Sequence, residues 1–188
     1  MMDIDDLVLS VVDAYGGKVK GRTLFQKLAY FVSETMRFDA GYEPHYYGPY
    51  SETVAATVQC QVSRELLYER MERFPGSFVG HEFPHKRYEY TLTERGEAAL
   101  KWRREQPDAQ ANFEQAEALV KKLIEDDPSY KVLSWAAKLY LILLQEGGTT
   151  LSAAQRLADK EYGWPMTPNE IQEGLNLLKN ADLVKTEE

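Results

Sequence analysis

The 188-residue sequence contains a single cysteine, Cys60, so it cannot form an intramolecular disulfide bond. Its N-terminus, MMDIDDLVLS, is acidic and lacks the basic start and long apolar run of a secretory signal peptide. The longest strongly apolar run, at 132–144, is interrupted by Lys138 and is shorter than the roughly 20 residues that span a bilayer. We therefore expect a cytoplasmic protein that makes no membrane contact.

The sequence also lacks the short motifs that accompany common catalytic and cofactor sites. It contains no glycine-rich nucleotide-binding pattern, no G-x-S-x-G and no H-E-x-x-H. His81 and His85 are four residues apart, but the intervening Pro84 indicates a hairpin rather than a helix that would bring both to one zinc ion. We predict no catalytic residue, no cofactor and no metal site.

The sequence contains fewer basic than acidic residues. The sequence has 22 basic and 30 acidic residues, a net charge of −8. A protein that binds nucleic acid through many phosphate contacts usually has a basic excess or a basic face. The charge therefore favours a protein partner over a nucleic-acid partner, although a local basic stripe could still bind phosphate.

Two segments near the N-terminus have apolar residues at helical spacing. The first covers 4–15 and the second covers 23–38, with Thr23 as a possible N-cap. The apolar side of the second segment is wide, and Lys27 and Tyr30 are among the residues opposite it. We predict two amphipathic helices, with Lys27 and Tyr30 on the polar side of the second.

A third helix is predicted to begin after the N-cap Ser51 and to end at about Arg73. The pattern then changes to the alternation of a half-buried strand, most clearly in 86–92. This segment would pair with 77–83 through a turn at 84–85. Three helices followed by a β-hairpin is the element order of a winged helix-turn-helix.

The second half of the sequence repeats part of this order. A connecting helix is followed by helix, Gly-Gly, helix, loop, helix and a short strand at 182–184. Ser152 and Thr167 each begin an S/T-x-x-E/Q pattern, the signature of a capping box, and Pro168 strengthens the second of these boundaries. The repeated order predicts a second, smaller winged-helix-like module.

The predicted fold class is mainly α with a small β-hairpin, an α+β protein with tandem winged-helix-like modules joined by a helical connector. The first domain covers 1–104 and includes an aromatic insertion at 38–50. The connecting helix covers 105–128, and the second module covers 129–188.

The aromatic insertion is the first candidate binding site. It carries four tyrosines, Tyr42, Tyr46, Tyr47 and Tyr50, where a loop is normally polar. Such rings either pack beneath a loop or anchor a protein partner. We predict that most of them pack, that one or two remain at a rim where a partner binds, and that Gly48-Pro49 turns the chain into the third helix.

The alternative partner is DNA, and its candidate contacts are basic. They are Lys18, Lys20, Arg22, Arg64, Lys86 and Arg87. A winged module would place the last two on phosphate at the hairpin tip and direct Gln59, Gln61, Ser63 and Arg64 of the third helix to base edges. However, about fourteen residues separate the second and third helices, whereas a DNA-reading helix-turn-helix uses roughly three or four.

Three sequence motifs resemble known families. LFQKLAYFV at 24–32, YGPYS at 47–51 and YTLTERG at 90–96 together resemble the uncharacterised YwgA-like proteins and, more distantly, the Panacea antitoxin domain. YTLTERG also resembles the wing exit of winged-helix regulators. The resemblance implies a non-enzymatic domain that acts through protein contacts, as an antitoxin or proteolytic adaptor does, or in genetic regulation.

The leading interpretation is therefore a regulatory or antitoxin-like protein-interaction module, and the alternative is a DNA-binding winged-helix regulator. A pocket between the two modules would instead indicate an enzyme or a ligand-binding protein.

Overall fold

A computed structural model describes residues 2–74 and 85–185, which form eight α-helices and three β-strands. The helices are α1 (Ile4–Ala14), α2 (Arg22–Thr35), α3 (Glu52–Ser63), α4 (Glu94–Arg104), α5 (Gln110–Ile124), α6 (Tyr130–Glu146), α7 (Leu151–Lys160) and α8 (Pro168–Asn180). The strands are β1 (Lys18–Lys20), β2 (Leu67–Phe74) and β3 (His85–Leu92). The predicted class, mainly α with a small β-hairpin, is confirmed.

The strands form one antiparallel sheet in the order β1-β3-β2. Leu67 pairs with Leu92 at the base of the hairpin, and Val19 of β1 pairs with Tyr90 of β3. Because side chains alternate across a strand, these four residues share the face that is buried against the helices. Tyr68, next to Leu67, lies on the opposite face and is exposed.

One buried apolar cluster includes residues from all three predicted segments. It contains Val8 of α1, Phe31 of α2, Phe113 of α5 and Leu139 of α6. Helix α1 contacts α2, α3, α4 and α5, so the helix predicted as a connector packs against the first helix of the chain. Whether the chain divides into the three predicted units remains a prediction.

Three predicted helix starts are confirmed. The hydroxyls of Ser51, Thr93 and Thr167 accept hydrogen bonds from backbone N–H groups in the first turns of α3, α4 and α8. Thr167 and Glu170 form the complete reciprocal capping box, with Pro168 as the first helical residue. The donor and the acceptor of each capping bond lie three residues apart in the sequence, which is why sequence alone located these helix starts.

The predicted end of the third helix was wrong. Helix α3 ends at Ser63, and Glu65 then adopts a left-handed backbone conformation with φ of 61°. Leu66 follows Val62 at helical spacing, but Leu67 begins β2, whose whole length pairs with β3. The backbone bonds of this ladder outweigh the weak helical pattern, so the first hairpin strand is part of the segment predicted as helix.

The predicted hairpin turn and its first strand fall largely on residues that the structure does not describe. The segment 77–83, His81 and Pro84 lie outside the described ranges. His85 is the first residue of β3, and Lys86 and Arg87 follow it within the strand.

Three smaller predictions were also wrong. Helix α2 has Gly21 rather than Thr23 at its N-cap, and α7 has Thr150 rather than Ser152. The residues 182–184 form no strand, because Asp182 is left-handed and the next amide bonds back to α8. No strand occurs between residues 129 and 185, so the described part of the second module has no wing. Strand β1 was not predicted because three residues are too few to show alternation.

No helix in the described part of the chain is both long and apolar enough to cross a membrane.

Candidate functional site

The segment from His45 to Ser51, called the corner segment below, joins the aromatic insertion to α3. Glu43 and Tyr50 bracket its turn through two backbone hydrogen bonds of 3.0 and 2.9 Å. The Ser51 hydroxyl donates to the Ala40 carbonyl at 2.5 Å and accepts from the Val54 amide at 3.0 Å. Both ends of the turn are therefore fixed by hydrogen bonds.

Gln26 of α2 holds the backbone of the corner segment. Its side-chain Nε2 donates to the Ser51 carbonyl at 2.9 Å, and its Oε1 accepts from the Ser51 amide at 3.1 Å. The Gln26 side chain is buried, and its amide group bonds both the N–H and the C=O of Ser51, as the backbone of a neighbouring strand would. The Tyr42 hydroxyl adds a bond of 3.0 Å to the Gln26 carbonyl.

Lys27 of α2 also bonds the backbone of the corner segment. The prediction that Lys27 lies on a polar side of the helix was wrong. The side chain is 2% exposed, and its Nζ donates to the Pro49 carbonyl at 2.6 Å. Burial, and secondarily the nearby Lys138 ammonium, lower the pKa of Lys27 to about 7. Helix α6 packs against α2 and covers the side that the sequence showed as polar, which also buries Tyr30.

Two residues from the second half of the chain, Lys138 and Trp164, contact the corner segment. A Cβ atom at Gly48 would lie 3.1 Å from Lys138 Cγ, and Gly48 has a φ of 94°, which favours glycine. The indole Nε1 of Trp164 donates to the His45 carbonyl at 2.9 Å. The Lys138 ammonium lies 5.3 Å from the centre of the Trp164 ring.

Sequence reasoning did not identify Lys138 or Trp164 as part of this site. Both lie about ninety residues or more beyond the corner segment, and nothing in the local pattern joins them to it. One signal was present, because Lys138 interrupts an otherwise apolar run. A lysine at a core position of a helix indicates a polar contact inside the protein.

The structure separates the four candidate tyrosines. Tyr46 and Tyr47 are 73% and 56% exposed, and their ring centres lie 4.8 Å apart in an edge-to-face arrangement. Tyr42 packs against Tyr30, and burial raises the pKa of its hydroxyl. Tyr50 is half-buried. Only Tyr46 and Tyr47 therefore present most of their rings to solvent.

Tyr50 also lines a groove between α2 and α3, with a volume of about 270 Å³. Phe25, Val58 and the Tyr90 ring are buried residues of this groove, which is mostly apolar. Arg22 contributes a guanidinium group to the same groove. It is called the α2/α3 groove below.

Four of the six predicted nucleic-acid contacts lie within 4.0 Å of a carboxylate oxygen, including Arg22, which is 3.7 Å from Glu69. Lys18 lies 3.3 Å from Glu89, Arg64 lies 3.4 Å from Asp5 and Arg87 lies 3.0 Å from Glu72. Arg22 stacks over the Tyr88 ring at 3.5 Å and donates from Nε to the Tyr90 hydroxyl. Gln61, expected to face base edges, is buried and donates to Asp5.

The sheet nevertheless carries local positive charge. Its strands contain six basic and three acidic residues, a net charge of +3 in a sequence of net charge −8. Arg73 and Lys86 are direct cross-strand partners, and both are exposed, as is Lys20 of β1. Like charges in this position repel each other, so a bound anion would stabilise the pair.

The described residues contain no cluster of three or more His, Cys, Asp or Glu side chains that could hold a metal ion. His81, which the sequence indicates as a hairpin residue rather than a zinc ligand, lies outside them.

No protein-family model matches the chain. It is similar to a curated protein of Bacillus subtilis (strain 168), "Uncharacterized protein YwgA", with 34% identity over 86 residues. The match covers 45% of this chain and 46% of that protein, so the chain spans about half the length of the curated relative it matches. This likeness supports the YwgA part of the resemblance, whereas the Panacea and winged-helix parts remain predictions.

Proposed function

We propose that this protein is a non-enzymatic protein-interaction module and that Tyr46 and Tyr47 anchor its partner. The observation that carries this proposal is the exposure of two adjacent aromatic rings on a segment whose backbone is fixed from both sides. Aromatic residues supply much of the binding energy at protein interfaces, and the exposed rings of Tyr46 and Tyr47 also contact each other edge to face.

The rigidity of the corner segment strengthens this argument. Binding costs free energy when loops and side chains must be ordered, and a segment that is already ordered avoids much of that cost. Gln26, Lys27 and Trp164 each bond a different backbone carbonyl of the segment. The two tyrosine side chains therefore project from a backbone that does not need to rearrange.

Net negative charge and the lack of catalytic motifs fit a binding role. The resemblance to YwgA-like and Panacea proteins is the basis for proposing a regulatory or antitoxin-like type of interaction in the cytoplasm. The tandem winged-helix-like organisation belongs to the same proposal.

A quantitative pull-down from native lysate tests the role of the tyrosines. We expect the double variant Tyr46→Ala, Tyr47→Ala to lose at least one partner captured by the wild-type protein, with a drop in affinity of about tenfold or more. The matched control is Tyr68→Ala, Tyr130→Ala, which removes two tyrosines that are 61% and 52% exposed elsewhere. Identical partners for all three proteins would contradict the proposal.

DNA binding is the second candidate, and the positive charge of the sheet favours it. Arg73 and Lys86 extend from the hairpin, where a winged-helix protein contacts phosphate. Against it, α3 contains no lysine or arginine, and Arg64 at its C-cap is paired with Asp5. The sheet rather than α3 would therefore make the contacts.

Salt dependence of duplex DNA binding tests this second function. We expect binding at about 50 mM salt to weaken steeply as salt is added, and Arg73→Gln, Lys86→Gln to reduce the slope of log K against log salt by about two. Arg64→Gln is the matched control and should leave the slope unchanged. Absence of binding at low salt would exclude DNA as the partner.

A further inference from the structure

The α2/α3 groove combines an apolar interior with one cationic side chain. Phe25 and Val58 are 2% and 4% exposed, and the groove is open to solvent beside Ala55 and Ala56 of α3. Its volume, about 270 Å³, is just below the range of pockets that hold drug-sized ligands, which begins at about 300 Å³. It suits one small apolar group.

The Arg22 guanidinium has hydrogen-bonding capacity left for such a ligand. Of its five N–H groups, one donates to the Tyr90 hydroxyl at 3.1 Å. The nearest carboxylate oxygen, on Glu69, is 3.7 Å from Arg22 Nη2, which is beyond hydrogen-bond distance. Within residues 2–74 and 85–185, the Arg22 side chain donates no other hydrogen bond.

The orientation of Arg22 is fixed without using those donors. The guanidinium stacks 3.5 Å above the Tyr88 ring, and its Nε bond to Tyr90 sets the plane of the group. Glu69 is engaged elsewhere, because its Oε2 accepts a hydrogen bond from Gln59 at 2.9 Å. A stacked guanidinium with open N–H groups is a geometry that binds a carboxylate with two parallel hydrogen bonds.

We infer that the α2/α3 groove binds a small carboxylic acid, with the apolar tail on Phe25 and Val58 and the carboxylate on Arg22. This site does not depend on the proposed protein partner, because neither Tyr46 nor Tyr47 lines the groove. The open N–H groups favour an acid: a neutral ligand of the same shape would fill the groove and leave these Arg22 donors without an acceptor.

Phenylbutyrate and its neutral analogue phenylbutanol are suitable probes. Their binding to the full chain can be measured by calorimetry and by amide shifts in NMR spectra. We expect phenylbutyrate to shift the amides of Ala55, Ala56 and Gln59 and to bind about tenfold more tightly than phenylbutanol. Equal binding of acid and alcohol, or no binding of the acid, would overturn the inference.

Three variants locate the site. Arg22→Gln should remove the preference for the acid, and Glu69→Gln should tighten binding of the acid because it removes a nearby negative charge. Ala55→Leu should block both probes by filling the groove, while Ala98→Leu on α4 serves as the control. Unchanged acid binding in Arg22→Gln, shown folded by circular dichroism, would contradict the assignment. The Tyr46→Ala, Tyr47→Ala protein should bind the acid normally, which separates this site from the proposed protein interface.

Discussion

From about pH 6 to about pH 10, the wild-type protein should gain about 4 kcal/mol of stability relative to a Lys27→Met variant. The reason is the burial of Lys27, which lowers its pKa from 10.5 to about 7 in the folded protein. Below about pH 7 both the folded and the unfolded chain carry the proton, and the folded protein has a charge buried without a carboxylate. The buried charge then destabilises the native state.

The direction of this stability change depends on how many protons the folded and the unfolded chain bind. Between about pH 7 and pH 10.5 the folded Lys27 has lost its proton, whereas the unfolded side chain still binds one. Stability rises with pH wherever the unfolded state binds more protons. Lys138 from α6 and the Pro49 carbonyl from the corner segment face the Lys27 amine, and neither carries a negative charge that would restore an ordinary pKa.

Urea unfolding at several pH values measures this effect as the difference between the two proteins. Subtracting the variant removes the contribution of the other titrating groups, and Lys131→Met on α6 is the control, whose difference curve is the baseline for the loss of an exposed lysine. Parallel stability curves for wild type and Lys27→Met would show that Lys27 keeps its usual pKa in the folded protein.

Gly96→Ala should destabilise the protein by about 3 kcal/mol, although alanine is normally the better helix former by up to about 1 kcal/mol. Gly96 lies in the first turn of α4, and a Cβ atom there would lie 2.1 Å from the Leu66 carbonyl oxygen. That oxygen accepts the Thr93 amide at 3.1 Å. Relief of the clash would therefore break the bond that joins the start of α4 to the chain before β2.

Thermal or urea unfolding checks this prediction. Ala98→Gly, at an exposed position of the same helix, is the matched control and should cost about 1 kcal/mol by helix propensity alone. If Gly96→Ala were as stable as wild type, this result would contradict the close packing of α4 against the Leu66 carbonyl.

The helix caps and Lys27 show where sequence reasoning succeeds and where it fails. The caps Ser51, Thr93 and Thr167 were predicted because donor and acceptor lie within four residues of each other. Lys27 was placed on a polar face because its own helix shows an amphipathic pattern. That inference would hold for a helix that packs on one side, but α6 packs on the other side of α2 as well.

Sequence reasoning predicted the candidate site only in part, because some of its features are local and others depend on distant residues. The sequence indicated that the Tyr-Gly-Pro segment turns into a helix and that only one or two of its tyrosines stay exposed. It did not indicate which ones, because the exposure of Tyr46 and Tyr47 depends on contacts from Gln26, Lys138 and Trp164. None of these is a local neighbour of the corner segment.

The sequence by itself determined the helical class, the main helix starts and the lack of cysteine pairs and recognisable catalytic motifs, since each depends on composition or on short local patterns. The tertiary structure decided the partner of β3, the burial of Lys27 and the position of Arg22 over Tyr88 beside an apolar groove. Those features depend on contacts between residues far apart in the chain, and no local period or propensity encodes them.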